Sequence, residues 1–115
     1  MSLTLNLDTV GQVVQKYKID LEGCEILYEP GLPDGYYGMS GENSIHLGRS
    51  AFVNEEQLVR TLIHELTHVR QHRNSTFTWA INTGKMQLLE SEAYRVEDDW
   101  AELHSFKRCW KGVEY

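Results

Sequence analysis

The chain lacks the features that mark several classes of protein. No apolar run approaches the roughly 18 residues of a membrane span, so we expect no membrane insertion. The chain has 11 Lys and Arg residues and 17 Asp and Glu residues, and the basic residues form no patch suited to DNA or RNA. The N-terminus shows no charged region followed by an apolar stretch, so no signal peptide is predicted. The default expectation is a cytoplasmic monomer.

Cysteine is scarce too. Cys24 and Cys109 form no Cys-x-x-Cys pair, so metal ligation by cysteine is not expected. Neither cysteine nor any serine stands in a recognisable nucleophile context, which disfavours serine and cysteine hydrolases.

The composition is that of a globular domain. With 115 residues, 41% hydrophobic and 24% charged, the chain predicts one domain spanning residues 1–115. Met1-Ser2-Leu3 is consistent with a leader added for expression. The domain is consistent with a piece excised from a longer protein.

Patterning predicts an α+β fold. Helix, strand and turn signals follow one another in the order of an N-terminal helix, a strand meander, a long helix, a loop and a second long helix. We expect a small antiparallel sheet of three to four strands with helices packed on one face. The predicted strands are Leu3–Leu7, Cys24–Glu29, Tyr36–Met39 and Ser44–Leu47, and the predicted helices are Asp8–Tyr17, Glu55–His72 and Gly84–Phe106.

The first long helix carries His64-Glu65-Leu66-Thr67-His68. Asn54 is a good N-cap, with Gln57 three residues on as a variant capping box. Residues four apart lie on one helix face, one turn apart, so His64 and His68 can offer two nitrogens to a single zinc ion. Glu65 lies about 100° further round, where it can take a proton from a water whose pKa the metal lowers. Two ordinary histidines bordering an apolar stripe are the plainer alternative.

A catalytic zinc site needs a third protein ligand and an open position. The best donor is the helix 84–106, where Glu90 lies at the margin of the apolar stripe and Glu92 points further away. His72 would lie about 12 Å from His64 on a straight helix, too far to share the ion. His104 could ligate only if the second helix ran differently, and the Gly bend and later His of metzincins are absent. The helix carries five carboxylates, Glu90, Glu92, Glu97, Asp98 and Asp99, and most of the five are expected to form a solvated face.

His64-Glu65-Leu66-Thr67-His68 followed by Glu90-Ser91-Glu92-Ala93 resembles the gluzincin metallopeptidases over about half the chain. The size resembles the small minigluzincins. The resemblance implies a zincin-like fold, one zinc ion, a peptide or protein substrate, and Glu90 as third ligand. It also implies that the C-terminal segment can block the cleft; covering of the core by Trp110 is the simpler alternative.

The departure from the family lies at Tyr94, where many gluzincins carry Asp or Asn to support a zinc-bound histidine. Asp98, one turn on, is a substitute for that role. Tyr94 could donate to a developing oxyanion, although packing in the core is the more ordinary expectation.

Two further segments are candidates for shaping the cleft. In the resembling peptidases the strand before the motif helix is the sheet edge beside the cleft, which would place His46 near substrate; a surface strand histidine is the ordinary alternative. Residues 75–83 are polar and aromatic, with Phe77, Trp79 and Ile81 alternating. A strand, a lid over the cleft and a loop packed on the core are all open, and we expect a loop that shapes a specificity pocket.

The sequence thus predicts a zinc-dependent metalloendopeptidase. Glu65 is the catalytic base, His64, His68 and Glu90 are the metal ligands, and Tyr94, Asp98 and His46 are secondary candidates. Two alternatives stay open: a zinc-binding or regulatory domain without turnover, and the catalytic cassette of a secreted toxin or effector.

Overall fold

The computed structural model describes residues 7–33 and 35–103. Within them the chain is α+β, with four α-helices and a three-stranded sheet. The predicted strand Leu3–Leu7 lies outside the described residues apart from Leu7, which begins the first helix. His104 and the C-terminal tail also lie outside them. None of the helices in the described ranges is both long and apolar enough to cross a bilayer.

The elements follow in an order close to the predicted one. They are α1 (Leu7–Tyr17), β1 (Glu25–Tyr28), β2 (Gly38–Ser40), β3 (Ser44–Leu47), a short 3-10 helix (Arg49–Phe52), α2 (Glu55–Arg73), α3 (Thr76–Thr83) and α4 (Met86–Leu103).

The sheet is mixed rather than antiparallel, which corrects the expected meander. The strand order is β1-β3-β2, with β1 parallel to β3 and β2 antiparallel to β3. A parallel pair needs a connection of about a dozen residues or more, and the chain between Tyr28 and Ser44 is long enough to supply it. Strand β3 is therefore central, and β1 and β2 are the two outer strands of the described sheet.

Helix α2 is the centre of the core. Leu58, Val59, Leu62 and Val69 are fully buried, and its contacts reach every other helix and two strands. On β3, the fully buried Ile45 alternates with the half-buried His46, so one face of the strand enters the core. Further core side chains come from α1, β3 and the 3-10 helix, among them Val10, Val13, Leu47, Ala51 and Phe52.

The start of α2 follows the sequence prediction. Asn54 is extended, and its side-chain oxygen accepts a hydrogen bond of 2.7 Å from the backbone N–H of Gln57. Glu55 and Glu56 occupy the first turn, where carboxylates stabilise the positive end of the helix dipole. This N-cap fixes where the helix begins and hence which way its histidines point.

Residues 76–83 form a helix, so the predicted loop is wrong. Ser75 and Gly84 both adopt left-handed backbone conformations at the two ends of α3. Gly84 marks a helix C-terminus, a signal that the alternation of Phe77, Trp79 and Ile81 obscured. Phe77 is half-buried and Ala80, three residues on, is fully buried, whereas Thr78 and Trp79 between them are exposed, which is a helical pattern of burial.

Candidate metal centre and cleft

Helices α2 and α4 bring three predicted ligands together. Nε2 of His68 lies 3.2 Å from Nε2 of His64. Oε1 of Glu90 lies 3.6 Å from Nε2 of His64 and contacts Nε2 of His68 still more closely. His64 and His68 are 9% and 8% exposed, whereas the Glu90 side chain is 47% exposed. The three donor atoms lie at the surface of the core, and the Glu90 side of the cluster faces the solvent.

The donor set fits one small divalent ion. Ligands at the usual zinc distances in a tetrahedral site are separated by about 3.3 Å, close to the two spacings above. Two imidazole nitrogens and one carboxylate oxygen suit zinc and leave a coordination position free. No other group of three His, Cys, Asp or Glu side chains in the described ranges gathers in this way.

Each histidine is held through its other ring nitrogen. Nδ1 of His64 donates to Oε1 of Glu97 over 3.0 Å, and Nδ1 of His68 donates to Oε1 of Gln71 over 2.7 Å. Sequence reasoning missed both partners. Glu97 follows Glu90 by two helical turns and Gln71 follows His68 by one, spacings that place each on the required face.

Asp98 takes a different role from the predicted one. Its carboxylate is fully buried and accepts from Nη1 of Arg60 over 2.6 Å. Arg60 also contacts Glu97 at 3.3 Å. The expected support of a histidine therefore falls to Glu97, and the expectation of a solvated face was wrong for both Glu97 and Asp98.

Glu65 lies at the buried end of the cleft. It is 7% exposed, and it is hydrogen-bonded to the side chain of Ser40 on β2. Burial raises its pKa, although the neighbouring His64 and His68 act in the opposite direction. A raised pKa brings a carboxylate closer to the range in which it exchanges protons near neutrality.

In the metal-free protein the charged forms of the histidines and of Glu90 stabilise one another. Burial disfavours the charge on His64, but the hydrogen bonds with Glu90 and Glu97 outweigh it and raise its pKa to about 9. The same contacts with His64 and His68 hold the pKa of Glu90 well below its usual range. The cluster is thus built to hold positive charge, which a divalent cation would supply.

Tyr94 lies in the cleft, not in the core. Its ring is 4.6 Å from the His64 ring in an edge-on contact, and the residue is 38% exposed. Burial and the nearby Glu90 raise the pKa of its phenol, so it stays protonated at neutral pH. The Tyr94 ring thus lies beside the candidate metal site and carries a phenol that can donate a hydrogen bond.

His46 is placed apart from the cluster. It lies on the central strand β3, with Nδ1 2.8 Å from Oε1 of Glu29, and it does not line the cleft. This corrects the expectation that β3 is the edge beside the site. Residues of β2 line the cleft instead, and Gly38 lets that strand lie close against Glu65: a Cβ there would be 3.4 Å from Glu65 Cγ.

The cleft has a cavity of about 890 Å³. His64, Glu65, His68 and Glu90 line it together with a set of apolar and aromatic side chains from β2 and its preceding segment, α3 and α4. These are Tyr36, Tyr37, Met39, Phe77, Met86, Leu89 and Tyr94. A cavity of this size with a few polar groups at one place is typical of a ligand site.

No protein-family model, curated protein or solved structure matches the chain.

Proposed function

We propose that this chain is a zinc-dependent peptidase with a zincin-like fold, of the gluzincin type. The observation that carries the proposal is the pairing of an outward-facing His64, His68 and Glu90 cluster with a buried Glu65 at the same cleft. A purely structural metal site is closed by protein ligands and has no use for a neighbouring base. Here the third ligand is half exposed and a carboxylate of raised pKa stands beside the histidines.

His64, His68 and Glu90 would hold the ion. Bound zinc would lower the pKa of a water molecule and polarise a carbonyl group. Glu65 would take the proton from the water and pass it to the departing amine nitrogen. Tyr94 would donate a hydrogen bond to the negative charge that develops on the carbonyl oxygen.

A peptide substrate is supported by the strand that lines the cleft. In the described part of the chain, β2 pairs with β3 on one side only. An extended peptide can add to such an edge by main-chain hydrogen bonds, with side chains read by pockets on alternate sides. The apolar and aromatic side chains of the cleft would supply those pockets.

The test compares the wild type with Glu65→Gln on a mixed peptide library. Glu65→Gln keeps the size of the side chain and all three ligands, so zinc content should be unchanged. Loss of the general base should slow cleavage by at least about a hundredfold. A wild-type protein that binds zinc and cleaves nothing would leave a zinc-binding module without turnover. Equal cleavage by both proteins would show that Glu65 is not the base.

A further inference from the structure

Gln71 is a buried polar side chain whose amide is hydrogen-bonded at both its oxygen and its nitrogen. It lies on α2, one turn after His68, and is 1% exposed. Its Oε1 lies 2.7 Å from Nδ1 of His68. Its Nε2 donates to the carbonyl oxygen of Leu89 over 3.2 Å and to Oε1 of Glu92 over 3.0 Å.

The orientation of this amide is fixed by its partners. The carbonyl of Leu89 and the carboxylate of Glu92 only accept hydrogen bonds, so they require the NH₂ end of Gln71. A flipped amide would set its oxygen against both of them and leave a buried donor facing the imidazole. The oxygen of Gln71 must therefore face His68.

This orientation decides where the proton of His68 lies. Opposite an amide oxygen, Nδ1 has to carry a hydrogen. Once the imidazole is neutral, Nε2 then holds the lone pair, and Nε2 is the atom that faces His64 and Glu90. Partners of this kind commonly set the tautomer and ring orientation of histidines that bind metal.

The same amide also joins the two helices of the cluster. Leu89 and Glu92 lie on either side of Glu90 in the sequence of α4. By bonding both, Gln71 holds the segment that carries Glu90 against the turn of α2 that carries His68. One side chain thus acts on two of the three donor atoms.

We propose that Gln71 is a positioning residue of the metal site, which fixes His68 as the Nδ1-protonated tautomer and holds the Glu90 segment of α4 beside it. The inference rests on the metal-binding part of the proposed function. It assigns a role to Glu92 as well: its carboxylate anchors Gln71 and does not bind the ion.

The main test replaces Gln71 by methionine, which has a similar length and no hydrogen-bonding amide. Zinc affinity is measured by competition with a chelator, and the cobalt-substituted protein gives a visible spectrum that reports ligand geometry. We expect Gln71→Met to lower zinc affinity by about 10- to 100-fold and to change the cobalt bands. The matched control is Gln57→Met, also on α2, which loses a 3.2 Å bond to Thr61 and should bind zinc as the wild type does.

Gln71→Glu separates the two parts of the role. It keeps an acceptor for His68 but turns an oxygen towards the Leu89 carbonyl and Glu92, where two donors are needed. A fall in zinc affinity supports the link to α4. Affinity equal to the wild type in a folded Gln71→Glu protein would overturn that link.

A measurement on the wild type needs no variant to fold. Nitrogen-15 NMR of the zinc-loaded protein should show His68 with a protonated Nδ1 and a metal-bound Nε2. The opposite assignment, or unchanged zinc affinity in folded Gln71→Met, would overturn the proposal. Failure of the wild type to bind zinc would instead overturn the proposed function, while zinc binding without peptide cleavage would leave the role of Gln71 standing.

Discussion

The carboxylate of Glu97 accepts a hydrogen bond from Nδ1 of His64 over 3.0 Å, from a position two helical turns beyond Glu90 on α4. One face of α4 therefore offers both a candidate ligand and the partner that orients another ligand. Glu97 is itself held at 3.3 Å by Arg60 of α2. The orientation of His64 thus depends on charges buried between the two helices.

We expect Glu97→Ala to weaken zinc binding by about 10- to 100-fold, because His64 would lose the acceptor that fixes its tautomer. Chelator competition measures the change, and Glu102→Ala, an exposed carboxylate on the same helix, is the control. Glu97→Gln should bind more tightly than Glu97→Ala because the amide oxygen can still accept from His64. Wild-type zinc affinity in a folded Glu97→Ala protein would argue against this role.

The buried pair of Arg60 and Asp98 should matter for stability. Arg60 is 3% exposed and Asp98 is fully buried, with 2.6 Å between Nη1 and Oδ1. Asp98→Ala would leave a buried guanidinium with less compensation, at a cost of about 3 kcal/mol in the free energy of unfolding. Urea denaturation of the metal-free protein measures it. Arg70→Ala, which breaks an exposed pair with Glu22, should change it by less than about 1 kcal/mol; equal effects of the two variants would contradict the argument.

The parts of the fold that could be predicted are those that depend on residues close together in the sequence. The N-cap Asn54, the apolar spacing of α2 and the four-residue interval between His64 and His68 depend only on nearby residues. Their structural consequences, a helix over Glu55–Arg73 and two imidazoles on one face, agree with the sequence analysis. Glu90 could be predicted as a ligand because the periodicity of a long helix limits which of its side chains can face a neighbouring helix.

Long-range contacts explain what the sequence could not supply. The parallel pairing of β1 with β3 depends on the path of the chain between these two strands, and no periodic pattern in the sequence indicates that path. Glu97 and Asp98 read as surface charges because their buried partner, Arg60, is far away in the sequence. Gln71 carries no charge and matches no motif, so only its three contacts reveal it.

Gly38 is expected to tolerate no side chain. A Cβ there would lie 2.9 Å from the carbonyl oxygen of His46, 3.3 Å from Thr61 Cγ2 and 3.4 Å from Glu65 Cγ. The His46 carbonyl belongs to the backbone of β3, so relief requires β2 to move. Gly38→Ala should lower the free energy of unfolding by about 1–3 kcal/mol, measured by urea denaturation. Gly31→Ala is the control, since a Cβ there meets nothing within 4 Å; similar losses from both would show that the close approach is not the cause.

The metal-free protein should show an unusually basic His64. Its pKa is about 9 in the fold against an ordinary 6.5, because contacts with Glu90 and Glu97 outweigh burial. A pKa raised by folding means that the charged imidazole stabilises the fold. This contribution is fully present below pH 6.5 and is lost as the pH rises through about 9. NMR titration of the metal-free protein checks the value. Glu90→Gln should lower it, whereas Glu102→Ala should not, and a wild-type pKa near 6.5 would contradict the prediction.

The apolar cleft should favour peptides with bulky apolar side chains. Met86 lines the cleft one turn before Glu90 on the same face of α4, and it is 37% exposed. Burying an apolar substrate side chain against it should contribute about 1.5 kcal/mol or more, equivalent to about tenfold in kcat/KM. Met86→Asp should therefore lower cleavage of apolar peptides by about tenfold or more, with zinc affinity unchanged.

Ile81→Asp is the matched control for this last substitution. Ile81 is an apolar residue of α3, 62% exposed, and it does not line the cleft. Introducing a carboxylate there adds the same charge to the protein without changing the walls of the site. Cleavage of apolar peptides should therefore stay at the wild-type rate in Ile81→Asp. If Met86→Asp slowed apolar and polar peptides equally, the effect would be electrostatic, and Met86 would not be a determinant of specificity.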